Sequence, residues 1–455
     1  MIRNLTLRDF YRPVDVASLA FWRIAFGLLM AWDMVKVLQF EEIRIYYAEA
    51  EYHFSYNFFT WVRPLPEPWT TILHIVVGIF GILVALGLFY RFAAAGLCLT
   101  YTYTFLMEKC NYNNHYYLMC LLAGLMILIP AHRAWSLDRI LFKDKRPETA
   151  PVWGVWLLRF QLGLVYFYAA IAKINYDWMV RAEPISRWLS SRSDRPFIGP
   201  VMAWEPIGPL FAYSGFLFDL LIAPALLWKP TRKYAFIAAA LFHGTNSIVF
   251  DIGIFPALAL AATSIFFEPD WPRRVWGTLT RQFIPRVPEE RPPDRLLGRQ
   301  KALLAFLAFY CLLQALIPFR HHLYPGDVAW TEEGHQWSWR MKLRSKDALV
   351  RYFVTDPATG LTWVADVQDH FTAQQIRNHS KDPDMLIQMG HFIADIYRRR
   401  EGIENLEVRA EANLRLNYGT TGLLVDPDVD LAAQRLGLLP KPWILERPPR
   451  EPPNR

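Results

Sequence analysis

The sequence predicts a polytopic α-helical membrane protein of about nine transmembrane helices, followed by a C-terminal non-cytoplasmic α+β domain. Three observations carry that reading. Of 455 residues, 53% are hydrophobic and 15% aromatic, too apolar for an ordinary soluble chain. Nine stretches before residue 319 approach the roughly 20 apolar residues that cross a hydrocarbon core. Beyond residue 318, apolar and polar residues alternate as they do in half-buried strands.

The expected spans are 16–38, 70–90, 92–108, 115–131, 153–173, 207–228, 232–250, 252–268 and 301–318, with a re-entrant pair at the tight 251 junction as the alternative for the seventh and eighth. No short apolar stretch with a small-residue cleavage site precedes the first, so it is expected to stay as an anchor. Basic clusters set the orientation. Arg3, Arg8 and Arg12 precede the first span; Arg133, Arg139, Lys143, Lys145 and Arg146 follow the fourth. Lys229, Arg232 and Lys233 lie between the sixth and seventh, and seven arginines from Arg273 to Arg299 precede the ninth. Nine spans put all of these on one side, which makes the N-terminus cytoplasmic and everything after residue 318 external. Only the 174–206 loop argues back, and its four arginines are partly offset by Glu183, Asp194 and Glu205. The net charge of +7 is then mostly a topological signal and does not point to nucleic acid.

The domains read as 1–318 in the membrane, 319–446 exported, and 447–455 as a disordered Pro/Arg tail. "IPRVPEERPPDRLLGR" (284–299) is a connector with nothing to pack. In the exported part, "WSWRMKLR" (337–344), "LVRYFVT" (349–355), "LTWVADV" (361–367) and "NLEVRAEANLRLNYG" (405–419) read as strands. Leu386, Met389, Phe392, Ile393 and Ile396 have helical spacing within 383–400. Cys98, Cys110, Cys120 and Cys311 lie in or beside apolar spans and read as buried small hydrophobes. The exported domain therefore has no internal disulfide. No internal repeat is evident.

Polar residues inside the spans carry the chemistry, because charge at bilayer depth is costly and tends to be functional. Lys173 ends the fifth span, and Asn114 and His115 open the fourth from the same side. His243 and Asn246 sit one turn apart in the outer half of the seventh, Asp33 in the outer half of the first, and Asp219 near the middle of the sixth. Arg23 lies two to three turns deeper than Asp33, and Arg159 reads as an anchor in the fifth span. Each has a bland alternative as a snorkelling, capping or packing residue. Their convergence on one layer beneath the exported domain is harder to explain that way. His115 and His243 lack a third ligand at recognisable spacing, so no metal is expected.

In the same order along the chain, "YNNHYYL", "VYFYAAIAKINYDW", "FHGTNSIVFDIGIFP" and "FFEPDWPRR" resemble the membrane region of the vitamin K-dependent γ-glutamyl carboxylase family. "EEGHQWSWRMKLRSK" and "LLVDPDVDL" are similar to its exported segments, so the resemblance runs from about residue 10 to 440. It implies that reduced vitamin K reacts with O2 to give a strong base and the 2,3-epoxide. That base takes a γ-proton from a protein glutamate, and the carbanion adds CO2. By motif, the family's base corresponds to Lys173 and its motif histidine to His115, and Tyr166 matches as well. Desolvation disfavours a charged amine, so a lysine at this depth can work as a free base. Quinone or substrate contacts are expected from Asn114, Tyr166, His243, Asn246, Arg23, Asp33 and Asp219. On the exported side Trp339 and Arg340, with Trp337 and Lys342 nearby, are expected at the peptide-binding face. Partners are then a glutamyl peptide and membrane lipid. The animal enzymes are longer at the C-terminus and carry a disulfide between membrane and exported parts that these cysteines cannot make. A shorter, disulfide-free relative fits a bacterial inner membrane. A quinol epoxidase that does not carboxylate glutamate stays open, as does a transporter or lipid-binding protein, although the absence of a repeat argues against transport.

Overall fold

The computed structural model describes residues 6–39, 42–250, 252–282 and 291–450. Of the connector expected at 284–299, residues 284–290 lie outside them. Helices occupy all nine expected span positions. They are α1 (Ala17–Gln39), α2 (Trp69–Leu86), α3 (Tyr90–Leu106), α4 (Asn114–Leu128) and α5 (Trp153–Lys173). Then follow α6 (Ile207–Leu227), α7 (Arg232–Val249), α8 (Phe255–Thr263) and α9 (Gly298–Leu316). By length and composition five of them can cross a membrane: α1, α2, α5, α6, and α9 with its 3-10 extension to Leu323. The others fall short of the nine-span expectation. Two are short apolar segments, Asn114–Leu128 and Phe255–Phe266. At 1.5 Å per residue these reach about 22 and 18 Å, less than a core of about 30 Å.

The two short helices start at one level, where the ring of His115 stacks on Phe255 with centroids 3.7 Å apart. The other end of α8 runs through a 3-10 turn to Pro269, whose carbonyl accepts from the Ser18 amide at 2.9 Å, at the start of α1. The layer holding His115 is therefore recessed below the ends of the longer helices. Arg159, expected as an anchor, donates to the carbonyls of Ile265 (3.0 Å) and Phe267 (2.9 Å), which caps that end of α8.

Small residues let α1 and α2 cross closely. A Cβ on Gly27 would lie 2.5 Å from the Gly81 carbonyl, so neither position tolerates a larger residue without parting the helices.

The C-terminal domain carries an antiparallel sheet of order β2-β1-β3-β4, formed by β1 (Lys346–Thr355), β2 (Thr362–Val364), β3 (Glu407–Leu416) and β4 (Thr421–Leu423). The long central pair runs from Lys346 opposite Leu416 to Thr355 opposite Glu407. Two helices cover the sheet, α10 (Ala373–His379) and α11 (Pro383–Glu401). Local chemistry sets the ends of α11. The Asp382 side chain accepts from the Asp384 amide, Pro383 opens the first turn, and Gly402 closes the helix at φ 71°.

Two expectations for this domain fail. Residues 337–344 are not a strand: Trp337, Trp339 and Lys342 have φ of 63°, 55° and 52°. The segment is irregular and dips into the helix bundle. Trp339, fully buried, stacks on Tyr117 of α4 with centroids 4.9 Å apart, and Trp337 sits among Tyr56, Phe105, Tyr112 and Tyr117. Its alternating pattern therefore comes from two aromatic anchors and not from a pleat. Residues 447–450, expected within a disordered tail, are held in place. Arg447 meets Asp177 at 2.9 Å and Asp327 at 3.0 Å.

The seam between the two parts is polar. Lys109, just before α4, reaches Asp382 at 3.0 Å and Asp384 at 3.3 Å, and Lys441 meets Asp384 at 2.9 Å. The Ser55 amide donates to Gln388 at 2.8 Å, as does Gln375 to Glu108. Burial alone would lower the Lys109 ammonium, but Asp382 and Asp384 outweigh it and hold it above its ordinary value. Burial would likewise raise Asp384, yet Lys109 and Lys441 together hold it below. All four cysteines are free.

Candidate active site

Lys173 is the last residue of α5 and is only 7% exposed. Its Nζ lies 2.5 Å from Asp219 Oδ2 on α6, donates to the Ala169 carbonyl at 3.3 Å, and sits 5.4 Å from the centre of the Trp178 ring. Lys173, expected from sequence to work as a free amine, thus has a buried carboxylate partner that the sequence reading did not assign to it. The two residues are far apart in sequence, and only the α5–α6 packing brings them together.

The pair faces a cavity of about 120 Å³ whose walls are mostly apolar, with Leu118, Leu122, Leu162, Val165, Leu258 and Phe255 among them. The polar groups of that cavity are Lys173, Asp219, Tyr166, His243, Asn246, His115 and Lys342. Tyr166 stands two helical turns before Lys173 on α5, and its hydroxyl is 3.0 Å from His243 Nε2. His243 Nδ1 is buried and has no partner among the described residues. His115 opens α4, where the Asn113 side chain accepts from its amide at 2.9 Å.

Six expected site residues therefore share one cavity: Lys173, Asp219, Tyr166, His243, Asn246 and His115. Five do not line it. Arg23 is fully buried at the other end of the bundle, where it donates to the Trp135 carbonyl at 2.5 Å. Gly87, at φ 63°, gives its guanidinium room. Asp33 lines a separate cavity. Asn114 donates to the Arg340 carbonyl at 3.4 Å and accepts from the Tyr112 hydroxyl at 3.0 Å, so it holds the 337–343 segment down. Trp339 is that segment's anchor, and Arg340 offers its backbone carbonyl to Asn114. The segment instead contributes Met341 and Lys342 to the cavity. Met341 escaped the sequence reading because, on the Trp337–Trp339 face of a strand, it reads as ordinary packing.

Residues 11–271 match the model of the HTTM domain. Residues 299–449 match that of the vitamin K-dependent gamma-carboxylase, lumenal domain. The chain belongs to the vitamin K-dependent γ-carboxylase family. No solved structure matches it. In this family member the two matched regions meet at the polar seam, and the Lys173 cavity lies on the bundle side of it, roofed by the 337–343 segment. Its residues suit a quinol: apolar walls for a ring, and at the polar end a buried Lys–Asp pair, a phenol and an unpartnered imidazole nitrogen. Among the described residues no three His, Cys, Asp or Glu side chains gather as a metal would require.

Proposed function

We propose that this chain is a vitamin K-dependent γ-glutamyl carboxylase with its chemistry in the Lys173 cavity. The observation that carries the reading is the buried Lys173–Asp219 pair opening onto an apolar space shared with His115, Tyr166 and His243. Bound there, reduced vitamin K supplies, on reaction with O2, a base strong enough to remove a glutamate γ-proton, and leaves as the 2,3-epoxide. Lys173 and Asp219 hold one proton between them, so the pair is neutral overall. Taking a hydroxyl proton turns it into a cation, held close to where negative charge is left behind. The pair acts as the base, and Lys173 does not act alone. Tyr166 and His243 orient the hydroxyl-bearing ring by hydrogen bonds, and no metal takes part. His115, in the far wall, serves the later carboxylation of glutamate by CO2. The leucine and valine walls exclude the water that would quench a strong base.

The domains are 1–318, catalytic and in the membrane, and 319–446, exported. All nine helices cross, with α4 and α8 thinning the protein around the site. The N-terminus is cytoplasmic, and a glutamyl peptide arrives from outside, in a bacterial inner membrane. The test is incubation of purified protein with vitamin K hydroquinone, labelled bicarbonate and a glutamyl peptide, following epoxide and label together. Both should form in the wild type. Epoxide without label would reduce the protein to a quinol epoxidase, and neither product would overturn the reading.

A further inference from the structure

A second cavity, about 470 Å³, lies on the other side of His115. The two cavities share His115, Ile252 and Phe255, so the stacked His115–Phe255 pair is the partition between them. Their linings differ in kind. The second is walled by Asp33, Glu42, His74, Asn111 and a set of tyrosines that includes Tyr47 and Tyr116. Asp33 is 9% exposed and has no hydrogen-bond or ion-pair partner among the described residues. A buried carboxylate without a protein partner needs water or a proton. At the outer rim the cavity is bounded by the part-exposed Glu42 and by Gln374 of α10, which donates to Asn111 at 2.8 Å.

Resting on the function proposed above, the overall reaction is quinol + O2 + glutamyl C–H + CO2 → epoxide + H2O + glutamyl carboxylate + H⁺. Each turnover therefore releases one water and one proton, beside a cavity that must stay dry. Two carboxylates on the walls repel a glutamyl anion but suit a proton and water. We infer that this second chamber is the hydrated exit for the water and proton of turnover, with Asp33 as its first proton acceptor and the His115–Phe255 pair as the barrier that keeps the chemistry dry.

Radiolytic hydroxyl labelling, in which bound water oxidises the side chains it touches, reads the hydration without any turnover. Tyr47 and Tyr116 should label at least tenfold faster than Tyr166 and Phe242 on the dry side. Equal rates on both sides would overturn the inference, even if the protein carboxylates normally. Asp33→Asn keeps a polar wall and should leave that labelling unchanged. It should slow epoxide formation several-fold and enlarge the solvent deuterium isotope effect. Asp33→Asn turnover and isotope effect equal to wild type would overturn the role of Asp33. So would a photoreactive glutamyl peptide that crosslinks to Tyr47 or Tyr116, because it would make the chamber the peptide's entrance. A wild type that forms no epoxide at all, with the labelling contrast intact, would instead count against the function proposed above.

Discussion

Lys109 and Lys173 are both buried lysines held by aspartates, 3% and 7% exposed, and they sit at the two ends of the same problem. Lys109 has Asp382 and Asp384, and Asp384 is met again by Lys441, inside a seam dense with amide hydrogen bonds. Lys173 has one carboxylate, one backbone carbonyl and, on its remaining side, the apolar cavity. The first arrangement neutralises a charge and locks it. The second leaves a proton-holding pair open to a space that a ligand can fill. Burial of a lysine is therefore not by itself the mark of chemistry; an unfilled side is.

Exchanging the pairs for apolar residues should break the comparison most sharply at the cavity. Lys173→Met with Asp219→Leu should lower epoxide formation by about 10²–10⁴, the usual worth of a positioned base. Stability in detergent should hold or rise, since a buried pair is often replaced by apolar residues without loss. Epoxide turnover near wild type in that double variant would demote the pair to packing.

At the seam the sign reverses. Lys109→Met strands Asp382 and leaves Asp384 to Lys441 alone, and should cost about 3–5 kcal/mol, read as a lowered melting temperature and faster proteolysis between the two parts. Epoxide formed per folded molecule should fall far less than in the cavity variant. A larger loss than there would remove the distinction between them.

Acid should act on the seam too, and more gently. The folded Asp384 carboxyl lies below its ordinary value of 3.8, so its stabilisation is complete above that value. It is lost as the pH falls through the lower folded value. Hydrogen exchange of α10 and α11 should rise below about pH 4, and Asp384→Asn should flatten that rise. An unchanged rise in Asp384→Asn would assign the acid sensitivity to other groups.

The smallest effect should come from Tyr166→Phe, which removes one hydrogen bond worth about 0.5–1.5 kcal/mol. Quinol KM should rise about 2- to 10-fold with little change in stability. An unchanged KM would take Tyr166 out of ring orientation.

How much of this was legible in the sequence follows the range of the interactions. The nine helix positions and the bounds of α11 are set locally, by apolar runs and by caps such as Asp382, Pro383 and Gly402, and they read correctly. The gathering of His115, Lys173 and His243 near one depth also followed from helix direction and counting, whereas Tyr166 was marked by the resemblance alone. The pairing of Lys173 with Asp219 did not, because no spacing encodes which helices touch. Arg23 and Asp33 were grouped with the site, though ten residues of helix, about 15 Å, separate them, and they serve different places. "WSWRMKLR" misled most, because aromatic anchors spaced by two imitate the period of a strand. Only the three positive φ values reveal a plug.

The four free thiols have a practical corollary. Quinols are kept reduced in the laboratory by strong thiol reductants, which would open a covalent link between the membrane and C-terminal parts. Here that joint is made of charges and amides, so dithiothreitol can be present at any concentration the cofactor needs without loosening it. Assembly is likewise independent of any oxidative folding machinery, and the protein can be produced in hosts or cell-free systems that form no disulfides.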